Sequence, residues 1–249
     1  MRRSENKGKK IRTGIIILLV LVCTVVGGAG IILAPKSDQD KLREELARNE
    51  QMLQQEESTE AETRAAVSGT PVDEKREGEE KTEGSEKKMT VIGDSVFLGA
   101  APSFKKLQKG VVIDAKISRQ VSQALEVAKK LDKKGKLGDT VIISLGVNGN
   151  FTEATGQELI DYLGKDRKIY WINAHGKDVE WQDTVNKTIR KLAKKNENLE
   201  VIDWTKQAEK HPDWFYQDGT HLNEKGQKGF AEFVWEEISG NRTGSSLNN

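Results

Sequence analysis

Four short stretches of this 249-residue sequence hold the residue types that acyl transfer needs: Gly93-Asp94-Ser95-Val96, Ile117-Ser118-Arg119-Gln120, Gly146-Val147-Asn148-Gly149 and Asp218-Gly219-Thr220-His221-Leu222. A serine hydroxyl is a weak nucleophile until a neighbouring base takes its proton. An imidazole suits that task near neutral pH, which makes His221 the candidate base for Ser95. Asp218, three residues earlier and beside Gly219, can reach back to the far ring nitrogen, fix its tautomer and stabilise the imidazolium. A tetrahedral oxyanion needs donors already in place. The Asn148 side-chain amide and the backbone N–H groups of Ser95 and Ser118 are the candidates. Each piece also has an ordinary reading. Ser95 could cap a helix, Asp218-Gly219 and Asn148-Gly149 could be plain turns, and His221 could be a surface residue.

The elements that must position these residues are legible as alternating strands and helices. Met89 to Ile92, Val111 to Ile113, Asp139 to Leu145, Lys168 to Asn173 and Leu199 to Ile202 read as five strands. A helix is expected from Gly93 to Leu107. Apolar faces at Val121, Ala124, Leu125, Ala128 and Leu131, at Val185, Ile189 and Leu192, and at Phe230, Phe233, Val234 and Ile238 mark three more. Strands joined by helical crossovers imply an α/β fold, a doubly wound, mostly parallel five-stranded sheet with helices on both faces. Ligands bind beyond the carboxyl ends of such strands. The serine, the asparagine and the Asp-x-x-His pair would then meet on one rim.

Gly93-Asp94-Ser95, Gly146-x-Asn148 and Asp218-x-x-His221, in that order, resemble the SGNH (GDSL-type) hydrolase superfamily. Several stretches are more specifically similar to the extracellular domain of the peptidoglycan O-acetyltransferase A family of Gram-positive bacteria. They are Val91 to Val96, Asp114-Ala115-Lys116 with Arg119-Gln120, Leu145 to Gly149, Trp181 with Asn186, and Val201-Ile202-Asp203-Trp204. The resemblance covers residues 89–239. It implies a flavodoxin-like SGNH fold with Ser95 as nucleophile, His221 as base, Asp218 as orienting acid and Asn148 in the oxyanion hole. Two departures stand out. The second block usually supplies a glycine, where this chain has Ser118. Larger members of the family also carry a multi-helix membrane acyltransferase ahead of this domain, so a donor-delivering module would here be a separate integral membrane protein.

Composition sorts the rest. The 40 Lys+Arg and 39 Asp+Glu leave a formal charge of +1, against the basic surplus of a nucleic-acid binder. The single Cys23 excludes an internal disulfide, and no Cys/His spacing suits zinc. No cofactor or metal is expected. Residues 1–14 are basic, and Ile15 to Ala34 is a run of 20 residues without a charge, long enough to span a bilayer. The positive-inside bias would keep residues 1–14 cytoplasmic and everything after Pro35 outside, where cytoplasmic acyl donors are absent. Residues 35–88, ten basic and sixteen acidic, read as an acidic tether. Within it, Leu42, Leu46, Asn49 and Leu53 form a helical stripe compatible with a short coiled coil or a solvated helix. Residues 240–249 read as a flexible tail.

Among other candidates, Trp214 and Phe215 are placed to line an acceptor groove. Trp171, Trp181, Trp204 and Trp235 read as core, and His175 and His211 as loop residues. Three functions follow: an O-acetyltransferase passing an acetyl group from Ser95 to a wall glycan, an esterase using the same triad on water, and a non-catalytic wall- or partner-binding module.

Overall fold

A computed structural model of the protein describes residues 36–67 and 88–240. The basic tail, the apolar run Ile15 to Ala34, residues 68–87 of the tether and the final nine residues lie outside the described residues. Among the described residues no helix is long and apolar enough to cross a membrane.

Five strands, β1 (Met89–Gly93), β2 (Val112–Ala115), β3 (Thr140–Ser144), β4 (Lys168–Ile172) and β5 (Leu199–Ile202), form one parallel sheet in the order β2-β1-β3-β4-β5. Central β1 and β3 are buried along their whole length, as strands covered on both faces must be. Side chains alternate between the two layers: Val91 and Ile142 point to one, Ile92, Val141 and Ile143 to the other. The helices are α1 (Asp38–Val67), α2 (Ser95–Leu107), α3 (Ala124–Lys133), α4 (Glu153–Leu163), α5 (Gln182–Ala193), α6 (Trp204–Ala208) and α7 (Glu224–Ser239). The layer of α2 and α7 is built on Phe97, Phe104, Trp204 and Phe230; α3, α4 and α5 cover the other face around Leu159, Trp171 and Ile189. Helix α4, the crossover between β3 and β4, has no counterpart in the sequence reading. Its Leu159, Ile160 and Leu163 are buried at helical spacing, and Thr152 caps it by accepting the Thr155 N–H.

The stripe read as a coiled coil or solvated helix has a different partner. Helix α1 packs on the domain: Leu46 is 5% exposed and joins the α2–α7 core, with Leu42 and Leu53 packed against it. Buried Asn49 has a specific task. Pro102 lies inside α2 and has no N–H, so the carbonyl of Leu98 four residues back lacks its helical donor. The Asn49 side-chain amide donates to that carbonyl at 3.0 Å and to the Gly99 carbonyl at 3.2 Å. A polar residue in an apolar stripe here completes a neighbouring helix.

Candidate active site

Ser95 is the first residue of α2, directly after β1, and is buried. Asp94 caps the helix by accepting the Val96 N–H at 3.0 Å. The turn from strand to helix is tight: a Cβ on Gly93 would lie 2.8 Å from the Phe97 Cβ, so only glycine fits. Backbone N–H groups of a first helical turn, that of Ser95 among them, have no partner within the helix.

The second part of the site is the loop before α7. An isolated antiparallel bridge pairs Phe215 with Leu222 at its base. The Tyr216 N–H donates to the His221 carbonyl at 2.8 Å, and the Gly219 N–H to the Tyr216 carbonyl at 2.9 Å. The turn requires Gly219 at φ +61°, where a Cβ would also strike Lys177. Asp218 Oδ1 accepts the Thr220 and His221 N–H groups, both at 2.9 Å. Its Oδ2 accepts from His221 Nδ1 at 2.7 Å. His221 Nε2 lies 2.9 Å from Ser95 Oγ. Burial works against the Asp218 charge, but the two backbone donors and the imidazole outweigh it and hold the carboxyl below the ordinary carboxylate range. An ionised carboxylate only accepts, so Nδ1 carries the hydrogen and Nε2 offers a lone pair to the serine hydroxyl. The three residues predicted from distant stretches meet as a Ser–His–Asp relay.

The proposed oxyanion donors sit on the ends of neighbouring strands, Ser118 after β2 and Asn148 after β3, with Ser95 after β1 between them. Arg119 is buried and stitches this rim together. One guanidinium nitrogen donates to the Gly93 carbonyl at 3.1 Å and to the Asp114 carbonyl, another pairs with the Asp114 carboxylate, and its own carbonyl accepts from the Asn148 amide at 3.3 Å. The loop carrying Asn148 is fixed from below by indoles: Trp171 donates to the Leu145 carbonyl and Trp181 to that of Gly146, each at 3.1 Å. Ser118 has φ +59°, the sole positive φ outside glycine among the described residues. It is the third residue of a turn closed by Arg119 N–H to the Lys116 carbonyl, the position where a type II turn requires positive φ. That explains why a glycine suits this position. The serine is exposed rather than packed against its neighbours.

Other candidates separate. Trp214 does not line a groove. It is 9% exposed, stacked on His211 at 3.9 Å between centroids, and closed over by Gly226 and Gly229 of α7. The glycines of α7 leave room for the ring, a spacing the sequence analysis did not use. Phe215 is half-buried against Trp204 and against His175, whose ring is 5.2 Å away. His175 follows β4 on the same rim. Its Nδ1 is buried without a partner, and burial lowers its pKa. Trp171 and Trp204 are core as expected. Among the described residues no cluster of three or more His, Cys, Asp or Glu is placed to hold a metal. A groove of about 740 Å³ runs between α1, β2 and α3, and Ser95, Asp218 and His221 do not line it. Sequence reasoning missed Arg119 as the residue that joins the blocks, although the stretch containing it had been singled out. It also missed Tyr216, Gln227 and Glu45, which surround the His221 loop.

No family model matches the chain. Over 148 residues, 59% of this chain and 23% of the relative, it is 34% identical to a Bacillus subtilis (strain 168) protein named putative peptidoglycan O-acetyltransferase YrhL. The C-terminal catalytic domain of peptidoglycan O-acetyltransferase A (OatA) from Streptococcus pneumoniae is 24% identical, with a TM-score of 0.56 over 64% of this chain and 97% of that one. A lipolytic protein of the G-D-S-L family from Veillonella parvula is 15% identical, with a TM-score of 0.51 over 61% of this chain and 98% of that one. The fold is that of the SGNH (GDSL-type) hydrolases. In this fold the motif residues occupy the strand ends where ligands bind. The chain spans about a quarter of the length of the curated relatives it matches, 23% for the Bacillus protein.

Proposed function

We propose that the chain is a serine-dependent O-acetyltransferase that acts on cell-wall peptidoglycan through an acetyl-Ser95 intermediate. The observation that carries this reading is the unbroken relay from Asp218 through His221 to Ser95, at 2.7 and 2.9 Å. The names of the relatives supply the acceptor.

In this reading Ser95 Oγ attacks the acetyl carbonyl of a donor while its proton passes to His221 Nε2. The tetrahedral oxyanion is met by the N–H groups of Ser95 and Ser118 and the amide of Asn148. Collapse breaks the bond to the donor oxygen, which leaves with the proton from His221. A sugar hydroxyl then gives its proton to His221 and attacks acetyl-Ser95; the serine leaves and is reprotonated. Asp218 stays ionised throughout and steadies the imidazolium. Phe215 is a candidate wall of the acceptor site. The apolar run Ile15 to Ala34 would anchor the chain with residues 1–14 inside and the domain outside, and a separate integral membrane protein would hand over the acetyl group. An esterase would share the acyl-enzyme and differ only in using water.

The full chain in detergent micelles, given an activated acetyl ester, should gain one acetyl group on the peptide carrying Ser95, and Ser95→Ala should gain none. Adding a chitooligosaccharide should then yield acetylated sugar. Free acetate alone would assign hydrolysis, and equal labelling of Ser95→Ala would end the covalent reading.

A further inference from the structure

The loop carrying Asp218 and His221 is held at both ends by one carboxylate from outside the α/β layers. Glu45 lies on α1, beside the buried Leu46. Its Oε2 accepts the Tyr216 hydroxyl at 3.0 Å. Tyr216 precedes Asp218 by two residues and ties its own backbone N–H to the His221 carbonyl. The other oxygen of Glu45, Oε1, accepts from Nε2 of Gln227 on α7. Gln227 Nε2 also donates to the carbonyl of Leu222, the residue after His221, at 3.1 Å. Both of its partners are acceptors, so the amide nitrogen must face them. Burial first, and the Glu45 charge second, push the Tyr216 phenol up to about 12, so it remains a donor across the physiological range. Glu45 and Tyr216 are 171 residues apart in sequence and join α1 directly to the start of the loop.

We propose that Glu45 is a positioning residue for the Asp218–His221 pair, making the docking of α1 a condition for efficient acyl transfer. The proposal rests on the acyl-serine reading and deepens it. A displacement of about 1 Å at a reacting group can cost on the order of 10²-fold in rate. The Asp218–His221 turn is a short loop whose flanks are tied to α1 by side-chain hydrogen bonds. Glutamine at position 45 would keep the shape but offer one acceptor where two donors must be met. One flank of the loop would loosen while α1 stayed docked through Leu46 and Asn49.

The test uses the full chain in detergent micelles, with active sites counted by a fluorophosphonate probe and turnover of an activated acetyl ester measured per titrated site. Glu45→Gln and Tyr216→Phe should each lower kcat by about 5- to 20-fold with KM within about twofold, a fraction of the full misplacement penalty. The double variant should fall no further than the worse single one, because both changes break the same link. Glu56→Gln, which removes from α1 an exposed ion pair with Lys105 of α2, should turn over at the unchanged rate. A merely structural role would reduce the number of titratable sites and leave the rate of each surviving site intact; that result overturns the proposal. Ser95→Ala in the same assay separates the two levels. If it remains active, the acyl-serine reading itself falls. If it is inactive while Glu45→Gln and Tyr216→Phe turn over normally per site, only the positioning role falls.

Discussion

Asp94 precedes Ser95, and its carboxyl is enclosed, with 2% of the residue exposed. Burial pushes it up to about 7 against the pull of the α2 N–H groups and the Arg119 charge, from an ordinary value of 3.8. The folded state therefore holds this proton over a pH range in which the unfolded chain has released it. The contribution to stability is complete below about pH 3.8 and is lost as pH climbs to about 7. Asp94→Asn keeps an oxygen to cap α2 but cannot ionise. Between pH 5 and pH 8 its stability should rise relative to the parent by on the order of 2 kcal/mol, read from chemical unfolding at each pH. Parallel pH profiles would show that Asp94 is already ionised in the fold at pH 5. Asp218 works in the opposite sense. Its carboxyl is held below the ordinary range, so its contribution is present above that range and is lost on acidification. These two acids of the rim favour opposite ends of the pH scale.

At the scale of elements, Asn49 and Pro102 form a pair that single-residue reasoning would misjudge. Asn49→Leu looks conservative in an apolar stripe, yet it leaves the Leu98 carbonyl with neither a helical donor nor a side-chain one. An unpaired buried polar group costs about 1–3 kcal/mol. Pro102→Ala restores the missing N–H, so most of that loss should vanish when Asn49→Leu is made in the Pro102→Ala background. A double-mutant cycle by thermal unfolding measures it, and simple additivity would show that the carbonyl is satisfied in another way. The same pair marks what the sequence could disclose. The five strands were legible because each is a short run rich in β-branched and aromatic apolar residues. Asp218 and His221 were legible because three residues and a glycine turn make their contact local. The partner of the Leu42–Leu53 stripe was not, since an apolar stripe records that something covers it without naming what. Trp214 was misplaced for a related reason: an aromatic beside a functional loop has the same local pattern whether it faces the groove or the core, and only the spacing of Gly226 and Gly229 separates the two.

For the whole molecule, α1 extends what packs together. The resemblance begins at residue 89, but the described residues from Lys36 form one compact unit. Helix α1 contributes a buried leucine to the core, a donor to α2 and a carboxylate to the His221 loop. Burying Leu46 is worth about 2 kcal/mol, and the Asn49 hydrogen bonds add about 1 kcal/mol. The acid–lysine pairs of α1 with Lys105, Lys130 and Lys134 are exposed and add little. A domain of this size loses about 2–4 °C in Tm per kcal/mol. A protein comprising residues 88–249 should therefore melt below one comprising residues 36–249, by up to about 12 °C. Differential scanning calorimetry of the two forms decides it. Equal midpoints would mean that α1 rests on the domain without stabilising it, and the core would then have to close over α2 without Leu46. A lower midpoint would make α1 part of the folding unit, so that any pull or partner that lifts α1 would act on the stability of α2, the helix that begins at Ser95.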